Sequence, residues 1–249
     1  MLAFRLIARM DIRNEHLIKT IRCEGVRKVG DSAIFAKRYN DAGIDELLYL
    51  DVVASLYGRN GLHDLLDQTT SEVFAPVTAA GGVRSVDDAH KLFDHGADKI
   101  ALNTAAVGTP ALIDELARKF GSQAVVLQLD AKQVDNGWEA FCEGGRQPTG
   151  RPVLAWAAEA VDRGCGELLL TSIDREGVRS GFDLALIDRL AGLATVPLIA
   201  AGGFGAPHHA VEAKKSGADG IAVAGALHYD RVSLGEIRGA LRDAGVAVR

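Results

Sequence analysis

Short, continuously apolar runs recur along the chain, and the longer stretches between them place apolar residues at helical spacing. Runs of this kind are typical of parallel strands that are covered on both faces. The intervening stretches predict helices, and Ser85 is the expected N-cap of the helix that follows it. The apolar runs predict strands at residues 5–11, 46–52, 75–80, 98–103, 124–130, 167–172, 196–201 and 219–224.

The same pattern occurs twice in the chain. A shift of 121 positions aligns VTAAGGVRS with LIAAGGFGA and HGADKIALN with SGADGIAVA. A shift of 119 positions places Asp11 on Asp130, at the ends of the apolar runs LIARMD and VVLQLD. Because self-similarity at a fixed period marks a repeated structural unit, the chain is predicted to consist of two similar halves.

Eight strand–helix units in 249 residues have the size of an α/β protein of the (β/α)₈ or TIM-barrel type. An open, doubly wound sheet is the alternative. Two similar four-stranded halves can seal each other's edges, which favours a closed barrel with an internal two-fold repeat. No linker or low-complexity stretch divides the sequence, so we expect one domain over residues 1–249.

Composition narrows the function. The net charge is −5 and no long basic run occurs, which argues against nucleic-acid binding. Arg5 and Arg9 interrupt the short apolar start, so we expect neither a signal peptide nor a membrane span. The three cysteines, which lack CxxC spacing, suit a reducing cytoplasm and give no zinc signature. We expect a cytoplasmic protein without a metal or another cofactor.

Glycine-rich turns are predicted at the carboxyl ends of the strands, where sites lie in such barrels. These turns let an anion approach backbone N–H groups closely, although a single Gly-Gly pair more often only shapes a turn. Two equivalent sets predict a ligand with a phosphate at each end. The first cradle comprises Gly81, Gly82, Asn103 and Thr104, and the second comprises Gly177, Gly202, Gly203, Ala224 and Gly225.

Two aspartates end opposite strands of the predicted barrel. Asp11 follows the first strand and Asp130 the fifth, so the pair could act as general acid and base on a ligand between the cradles. An aspartate at a strand end often only caps the next loop, but the equivalent placement of the two favours chemistry. Lys19, just after the first strand, could contact an anion, although alone it would indicate only a solvated lysine. Thr171, at the end of the sixth strand, is a further candidate substrate contact.

Charged residues stand at the beginnings of four predicted strands, where barrels usually carry apolar layers. Two are cations and two are anions, so they could form a closed ring of ion pairs that is able to open. The competing interpretation is that they are ordinary rim charges that face solvent. The charged ring comprises Arg5, Glu46, Lys99 and Glu167.

Taken together, these features resemble the cyclase subunit of imidazole glycerol phosphate synthase, a family of histidine biosynthesis. The similarity covers nearly the whole chain. It is carried by the stretches DELLYLDVVAS, GGVRSVDDAHKLFDHGADKIALNTAAV, KFGSQAVV, LDAKQVDNGWE, LLLTSIDREG with SGFDL, and IAAGG.

This resemblance implies a (β/α)₈ barrel that binds a bisphosphorylated ribulosyl-formimino-aminoimidazole carboxamide ribonucleotide. It implies a glutaminase subunit, docked at the N-terminal face of the barrel, whose ammonia passes the charged ring and the interior to reach the substrate. Cyclisation and cleavage would give imidazole glycerol phosphate and AICAR. The resemblance assigns catalysis to Asp11 and Asp130, a mobile covering loop to Lys19, and the partner interface to Asp98.

Several positions depart from the family pattern. Arg9 stands where the family usually has Cys, Arg22 replaces Asn, Ala80 replaces Gly, Glu176 replaces Asp and Gly225 replaces Ser. The stretch LIKTIRCEGVRKVGD also resembles paralogues in which the barrel conveys ammonia during amidation of a bacterial surface sugar, as in lipopolysaccharide.

Three hypotheses therefore stand: the histidine-pathway cyclase, which the residues favour, a cyclase with a changed substrate, and an ammonia conduit. The surface-sugar paralogues commonly lack the first aspartate, whereas this chain keeps Asp11. A further resemblance, to the phosphoribosyl isomerase of the same pathway, is disfavoured by the charged ring and by LDAKQVDNGWE.

Overall fold

The computed structural model describes residues 3–54 and 62–249. Eight of its strands run parallel around a closed barrel, and the remaining four form two antiparallel hairpins. In chain order the strands are β1 (Arg5–Arg13), β2 (His16–Ile21), β3 (Glu24–Asp31), β4 (Glu46–Asp51), β5 (Val77–Ala80), β6 (Lys99–Leu102), β7 (Val125–Val134), β8 (Gly137–Cys142), β9 (Gln147–Pro152), β10 (Glu167–Ser172), β11 (Leu198–Ala201) and β12 (Gly220–Val223).

The barrel closes through two pairings between the halves. β1 pairs in parallel with β12, and β7 pairs in parallel with β10. The order around the barrel is therefore β1, β4, β5, β6, β7, β10, β11, β12 and back to β1. The predicted (β/α)₈ barrel is confirmed, and the open doubly wound sheet is wrong, because no edge between these strands is left unpaired in the described part of the chain.

Helices surround the barrel and alternate with its strands. Ser85 was the expected N-cap, and its hydroxyl accepts a hydrogen bond from the Asp88 N–H at 3.1 Å. The helices of the described residues are Ser32–Asp41, His63–Thr70, Val86–Asp94, Thr104–Gly108, Ala111–Phe120, Val153–Asp162, Leu184–Ala191, Pro207–Lys215, Gly225–His228 and Leu234–Asp243.

Most barrel strands differ from the predicted bounds by one or two residues, and β7 continues four residues further, to Val134. Two of the differences occur at equivalent places. The runs at 75–80 and 196–201 begin in the structure at Val77 and Leu198. Pro76 and Pro197 precede these residues, and a proline has no N–H to donate to a neighbouring strand. The carbonyl oxygens of both prolines still accept hydrogen bonds from N–H groups of the neighbouring barrel strands. Ladder pairing in these strands therefore starts one residue after each proline.

Two hairpins extend above the barrel and were not predicted as strands. β2 pairs antiparallel with β1 and β3 pairs antiparallel with β2, and β8 and β9 follow β7 in the same way. The hairpins thus occupy equivalent positions in the two halves. The outer strand of each hairpin is mostly exposed and polar, with the sequences EGVRKVGD and QPTGRP. The inner strands β2 and β8 are partly buried, but polar residues interrupt them, so neither has the continuous apolar run that marks the barrel strands.

The core lies on both sides of the barrel wall. Alternate residues of β1 point outward against the helices, as Leu6, Ala8 and Met10 do, while Ile7 points into the interior. Burial on both faces explains why the barrel strands are continuously apolar. No helix of the described residues is long and apolar enough to cross a membrane. The interior cluster comprises Ile7, Leu48, Ala80, Ala101, Val126, Leu169, Ile199, Ala201 and Ala222.

Candidate active site

A cavity of about 320 Å³ opens at the carboxyl ends of the first five barrel strands. All four residues of the first cradle line this cavity, and so do Asp11 and Asp130. The tertiary structure therefore brings both predicted aspartates and one predicted anion site to a single pocket.

A second cavity, of about 240 Å³, lies across the mouth of the barrel. All five residues of the second cradle line it, together with Lys19. Arg9 and Thr20 line both cavities, so the two adjoin at the centre of the mouth. The site is thus an elongated groove with a glycine-rich cradle toward each end.

The doubled AAGG phrase has a local steric cause. Gly81 and Gly202 have φ angles of +96° and +85°, a region that disfavours residues with a side chain. A Cβ atom on Gly81 would lie 2.5 Å from the Asp51 carbonyl oxygen, and one on Gly202 would lie 2.7 Å from the Ser172 carbonyl oxygen. Each turn therefore needs glycine in order to pass the end of the preceding barrel strand.

Asp11 is fully buried and lies in an ion pair. The Arg9 Nε donates to the Asp11 Oδ1 at 2.8 Å. Burial by itself would raise the pKa of Asp11, but the charges of Arg9 and Lys19 outweigh burial and hold the pKa below its ordinary value. Asp11 is therefore a carboxylate at neutral pH.

Asp130 is equally buried but has neutral partners. The amide nitrogens of Gln128 and Asn103 donate to its carboxyl oxygens at 3.1 and 2.8 Å. Burial raises the pKa of Asp130, and the charge of Arg9 with these two hydrogen bonds only partly opposes it. The two equivalent aspartates therefore differ in proton affinity.

Lys19 lies in β2, in the hairpin that leans over the second cavity. Its ammonium contacts the Glu176 carboxylate and donates to the Thr20 carbonyl at 2.8 Å. The hairpin is fixed there by a backbone hydrogen bond of 2.9 Å from Arg22 to Glu176. Lys19 therefore lies beside Gly225 of the second cradle.

Thr171 is completely buried and lines neither cavity. Its hydroxyl accepts a hydrogen bond of 2.8 Å from the Arg9 Nη1. Arg9 therefore spans from β1 to β10 beneath the mouth. The sequence singled out Arg9 as a departure, and the structure places its guanidinium in the centre of the site.

The four charged residues at the opposite end of the barrel form a closed ring. Arg5 contacts Glu46 at 3.2 Å and Glu167 at 2.5 Å, and Lys99 contacts the same two carboxylates at 3.0 and 3.2 Å. The Thr78 hydroxyl also donates to Glu46 at 2.6 Å. Each cation thus bridges both anions, so these are not isolated rim charges.

Asp98 lies beside this ring, at the same end of the barrel, and is exposed. Its carboxylate accepts a hydrogen bond of 2.8 Å from the Val77 N–H, and Asp219 does the same for Leu198 in the other half. Asp98 therefore has a structural role shared by both halves, and its role at a partner interface stays a prediction.

Arginines around the two cavities were not found from the sequence. They are scattered along the chain, but the fold gathers them at the rims of the groove. The only local signal was the position of Arg84 and Arg146 next to glycine pairs. The rim arginines are Arg13, Arg84 and Arg146 at the first cavity, and Arg27, Arg179 and Arg231 at the second.

Possible metal ligands come together away from the groove, at the start of the helix Pro207–Lys215. They are His208, His209 and Glu212. The His209 Nδ1 already accepts hydrogen bonds from the N–H groups of Gly205 and Ala206 at 3.1 and 3.3 Å. A helix start also carries partial positive charge, which disfavours a cation. We assign no metal to this group.

Comparison with known proteins identifies the family. The profile of the family described as "Histidine biosynthesis protein" matches residues 5–233. The chain is 44% identical over 250 residues to the imidazole glycerol phosphate synthase subunit HisF of Gluconacetobacter diazotrophicus, covering all of this chain and 97% of the relative. It is 51% identical over 202 residues to the Legionella pneumophila subunit of the same name, covering 81% and 95% of the two chains.

A third relative, HisF of Myxococcus xanthus, is 43% identical over 250 residues, with 100% and 99% coverage. These relatives support the cyclase interpretation and give no support to the surface-sugar interpretation. The chain therefore belongs to the histidine biosynthesis protein family and, within it, to the HisF cyclase subunits of imidazole glycerol phosphate synthase.

Proposed function

We propose that this chain uses ammonia to convert the bisphosphorylated ribulosyl-formimino-AICAR ribonucleotide to imidazole glycerol phosphate and AICAR. The observation that carries the proposal is the groove itself. Two glycine-rich cradles, equivalent by the half-barrel repeat, lie in adjoining cavities, with Asp11 and Asp130 beside the first. A ligand with a phosphate at each end fits such a groove with its reactive middle near the carboxyl groups.

Charge supports phosphate binding at both ends. The chain as a whole is acidic, so an anionic substrate depends on local cations. Each cavity has three rim arginines in addition to its glycines, and guanidinium groups bind phosphate oxygens in pairs. Glycine turns with flanking arginines therefore provide both close approach and neutralisation.

The barrel axis supports an internal route for ammonia. The charged ring closes the N-terminal end, and the interior above it is lined by nine apolar residues, several of them alanines. Ammonia in water is mostly ammonium at neutral pH, which is not a nucleophile, so a dry path preserves the reactive form. We propose that the glutaminase subunit docks over the ring, with Asp98 at that interface.

The two aspartates provide the chemistry at the end of this route. Ammonia would add to the ribulosyl carbonyl, water would leave, and ring closure with cleavage would release AICAR. These steps move protons and pass through cationic nitrogen species. Asp11 and Asp130 supply acid–base and electrostatic catalysis there, and Lys19 would hold the covering hairpin against the substrate.

The proposal is tested by turnover of the purified chain alone. We expect imidazole glycerol phosphate to form from the ribulosyl substrate with excess ammonium salt at mildly alkaline pH. Asp130→Asn should reduce this turnover by about 10²–10⁴-fold with an unchanged circular dichroism spectrum. Asp162→Asn, on the exposed side of the helix Val153–Asp162, is the matched control. A folded wild-type chain that makes no product would contradict the proposal.

A further inference from the structure

The two half-barrels hold their aspartates by the same construction but with different residues. Arg9 stands two residues before Asp11 on β1, and Gln128 stands two residues before Asp130 on β7. The separation between Arg9 and Gln128 equals that between the aspartates, so the two are equivalent by the internal repeat. Each donates its side-chain N–H groups to the aspartate on its own strand.

The donors differ in charge. Arg9 gives Asp11 a permanent cation at 2.8 Å, and both side chains of the pair are almost completely buried. Gln128 and Asn103 give Asp130 only neutral amide donors. Ala224 occupies the position equivalent to Asn103 and has no polar side chain, so the hydrogen bond from Asn103 to Asp130 has no counterpart at Asp11.

The guanidinium of Arg9 is also held at its far end. Its Nη1 donates to the Thr171 hydroxyl on β10 at 2.8 Å. The contact anchors the far end of the guanidinium, so the pairing with Asp11 is fixed by the barrel.

We propose that Arg9 and Gln128 divide the work of the two equivalent aspartates, with Asp130 the proton-transfer group and Asp11 a permanently ionised carboxylate that stabilises cationic nitrogen. The inference rests on the proposed function. In it Asp130 removes a proton from the nitrogen of the added ammonia and delivers it to the hydroxyl group that leaves as water. Arg9 is a positioning residue that acts through Asp11.

The surroundings of both carboxyl groups agree with this division. A proton-transfer group works best when its pKa lies near the working pH. Burial raises the pKa of Asp130 toward that pH, whereas the cations around Asp11 lower the pKa of Asp11 away from it. The charged or titratable groups that face Asp11 are Arg9, Lys19, Cys23, Asp130 and His228, and those that face Asp130 are Arg9, Asp11, Cys23 and Cys142.

The first test is a carboxyl titration without substrate. The chain is labelled with ¹³C at the aspartate carboxyl carbons, and Asp11→Asn and Asp130→Asn assign the two resonances. In the wild-type protein we expect Asp130 to titrate at a higher pH than Asp11 throughout the range in which the protein is folded. A lower midpoint for Asp130 than for Asp11 would overturn the proposal.

The second test removes the charge but keeps a donor. Arg9→Gln makes the two halves alike, and we expect the Asp11 midpoint to rise by about 1–3 pH units. Arg118→Gln, on the exposed face of the helix Ala111–Phe120, removes one positive charge elsewhere and should leave both midpoints unchanged. An unchanged Asp11 midpoint in a folded Arg9→Gln protein would contradict the role of Arg9. Should Arg9→Gln not fold, Arg9→Lys, which keeps the charge, must keep the wild-type order of the two midpoints.

Turnover separates this inference from the proposed function. With free ammonium, Arg9→Gln should add an acid limb to the pH profile of kcat, which loss of packing alone would not do. Wild-type turnover combined with an unshifted Arg9→Gln profile would reject the division of roles and keep the function. A wild-type chain without turnover would reject the function, while the titration would still decide whether Arg9 sets the charge of Asp11.

Discussion

Ionisable residues in this protein depend on their partners more than on their type. Burial raises the pKa of the Cys23 thiol to about 12 and that of Cys165 to about 11, because neither thiolate has an adjacent cation strong enough to stabilise it. Asp11 is more completely buried than either thiol, but Arg9 and Lys19 keep it ionised. At the residue scale the neighbouring charge therefore decides the state of each group.

His228 gives a pH prediction at this scale. Burial lowers the pKa of His228 from 6.5 to about 4, and its Nδ1 lies 2.6 Å from the Tyr39 hydroxyl. As the pH falls from about 6.5 to about 4, the unfolded chain gains a proton at this histidine and the folded chain does not, so stability falls. His228→Gln should remove roughly 2 kcal/mol of the loss between about pH 7 and about pH 4.5.

The free energies of unfolding of the wild-type protein and of His228→Gln are measured in urea between about pH 7 and about pH 4.5, a range around the ordinary histidine pKa. His208→Gln, at an exposed histidine, is the matched control and should follow the wild-type curve. Parallel curves for wild type and His228→Gln would show that His228 does not contribute to acid sensitivity.

At the scale of elements, the turns that leave the barrel strands determine the site. Gly81 and Gly202 adopt positive φ angles, and each packs closely against a carbonyl oxygen of the preceding barrel strand. These two turns place a glycine in each cradle. Asn103 and Ala224 also share an unusual backbone, with ψ angles of −86° and −96°. The repeat thus preserves backbone geometry even where the side chains differ.

Gly81→Ala should therefore destabilise the protein by about 1–3 kcal/mol, because alanine meets both the positive φ and the Asp51 carbonyl. Gly239→Ala is the matched control. It lies within the helix Leu234–Asp243 with open space around its Cα, and there alanine should stabilise by up to about 1 kcal/mol. Equal free energies of unfolding for the two variants would contradict the steric explanation of the AAGG turns.

At the scale of the whole molecule, the charged ring and the candidate active site lie at opposite ends of the barrel axis. The charged ring lies at the N-terminal end of the barrel, the apolar interior lies above it, and Arg9 with the two aspartates lies at the mouth. None of these groups is contiguous in sequence. The barrel aligns them because strand beginnings share one end and strand ends the other.

Lys99→Ala opens the ring while Arg5 still holds Glu46 and Glu167. With a glutaminase subunit present, we expect glutamine-dependent turnover to fall at least about tenfold more than turnover with free ammonium, a difference of ~1.4 kcal/mol. Lys37→Ala removes an exposed lysine from its pair with Asp41 and is the matched control. Equal losses with the two nitrogen sources would argue that the ring is structural and not a gate.

The sequence by itself determined the barrel, the two-fold repeat and most of the candidate site. Apolar runs buried on both faces leave a clear pattern, and glycines required by backbone geometry recur wherever that geometry recurs. The hairpins left no such pattern, because their outer strands are mostly exposed and polar and their inner strands, which pair with β1 and β7, mix polar with buried apolar residues.

Only the tertiary structure decided how the site residues differ from one another. The sequence presents Asp11 and Asp130 as equivalent, and it presents Arg9 as an unexplained departure. The closed barrel places Arg9 between β1 and β10 and thereby gives one aspartate a cation and the other two amides. Such contacts join residues far apart in the chain, and their energies depend on distance and burial, which no local sequence pattern encodes.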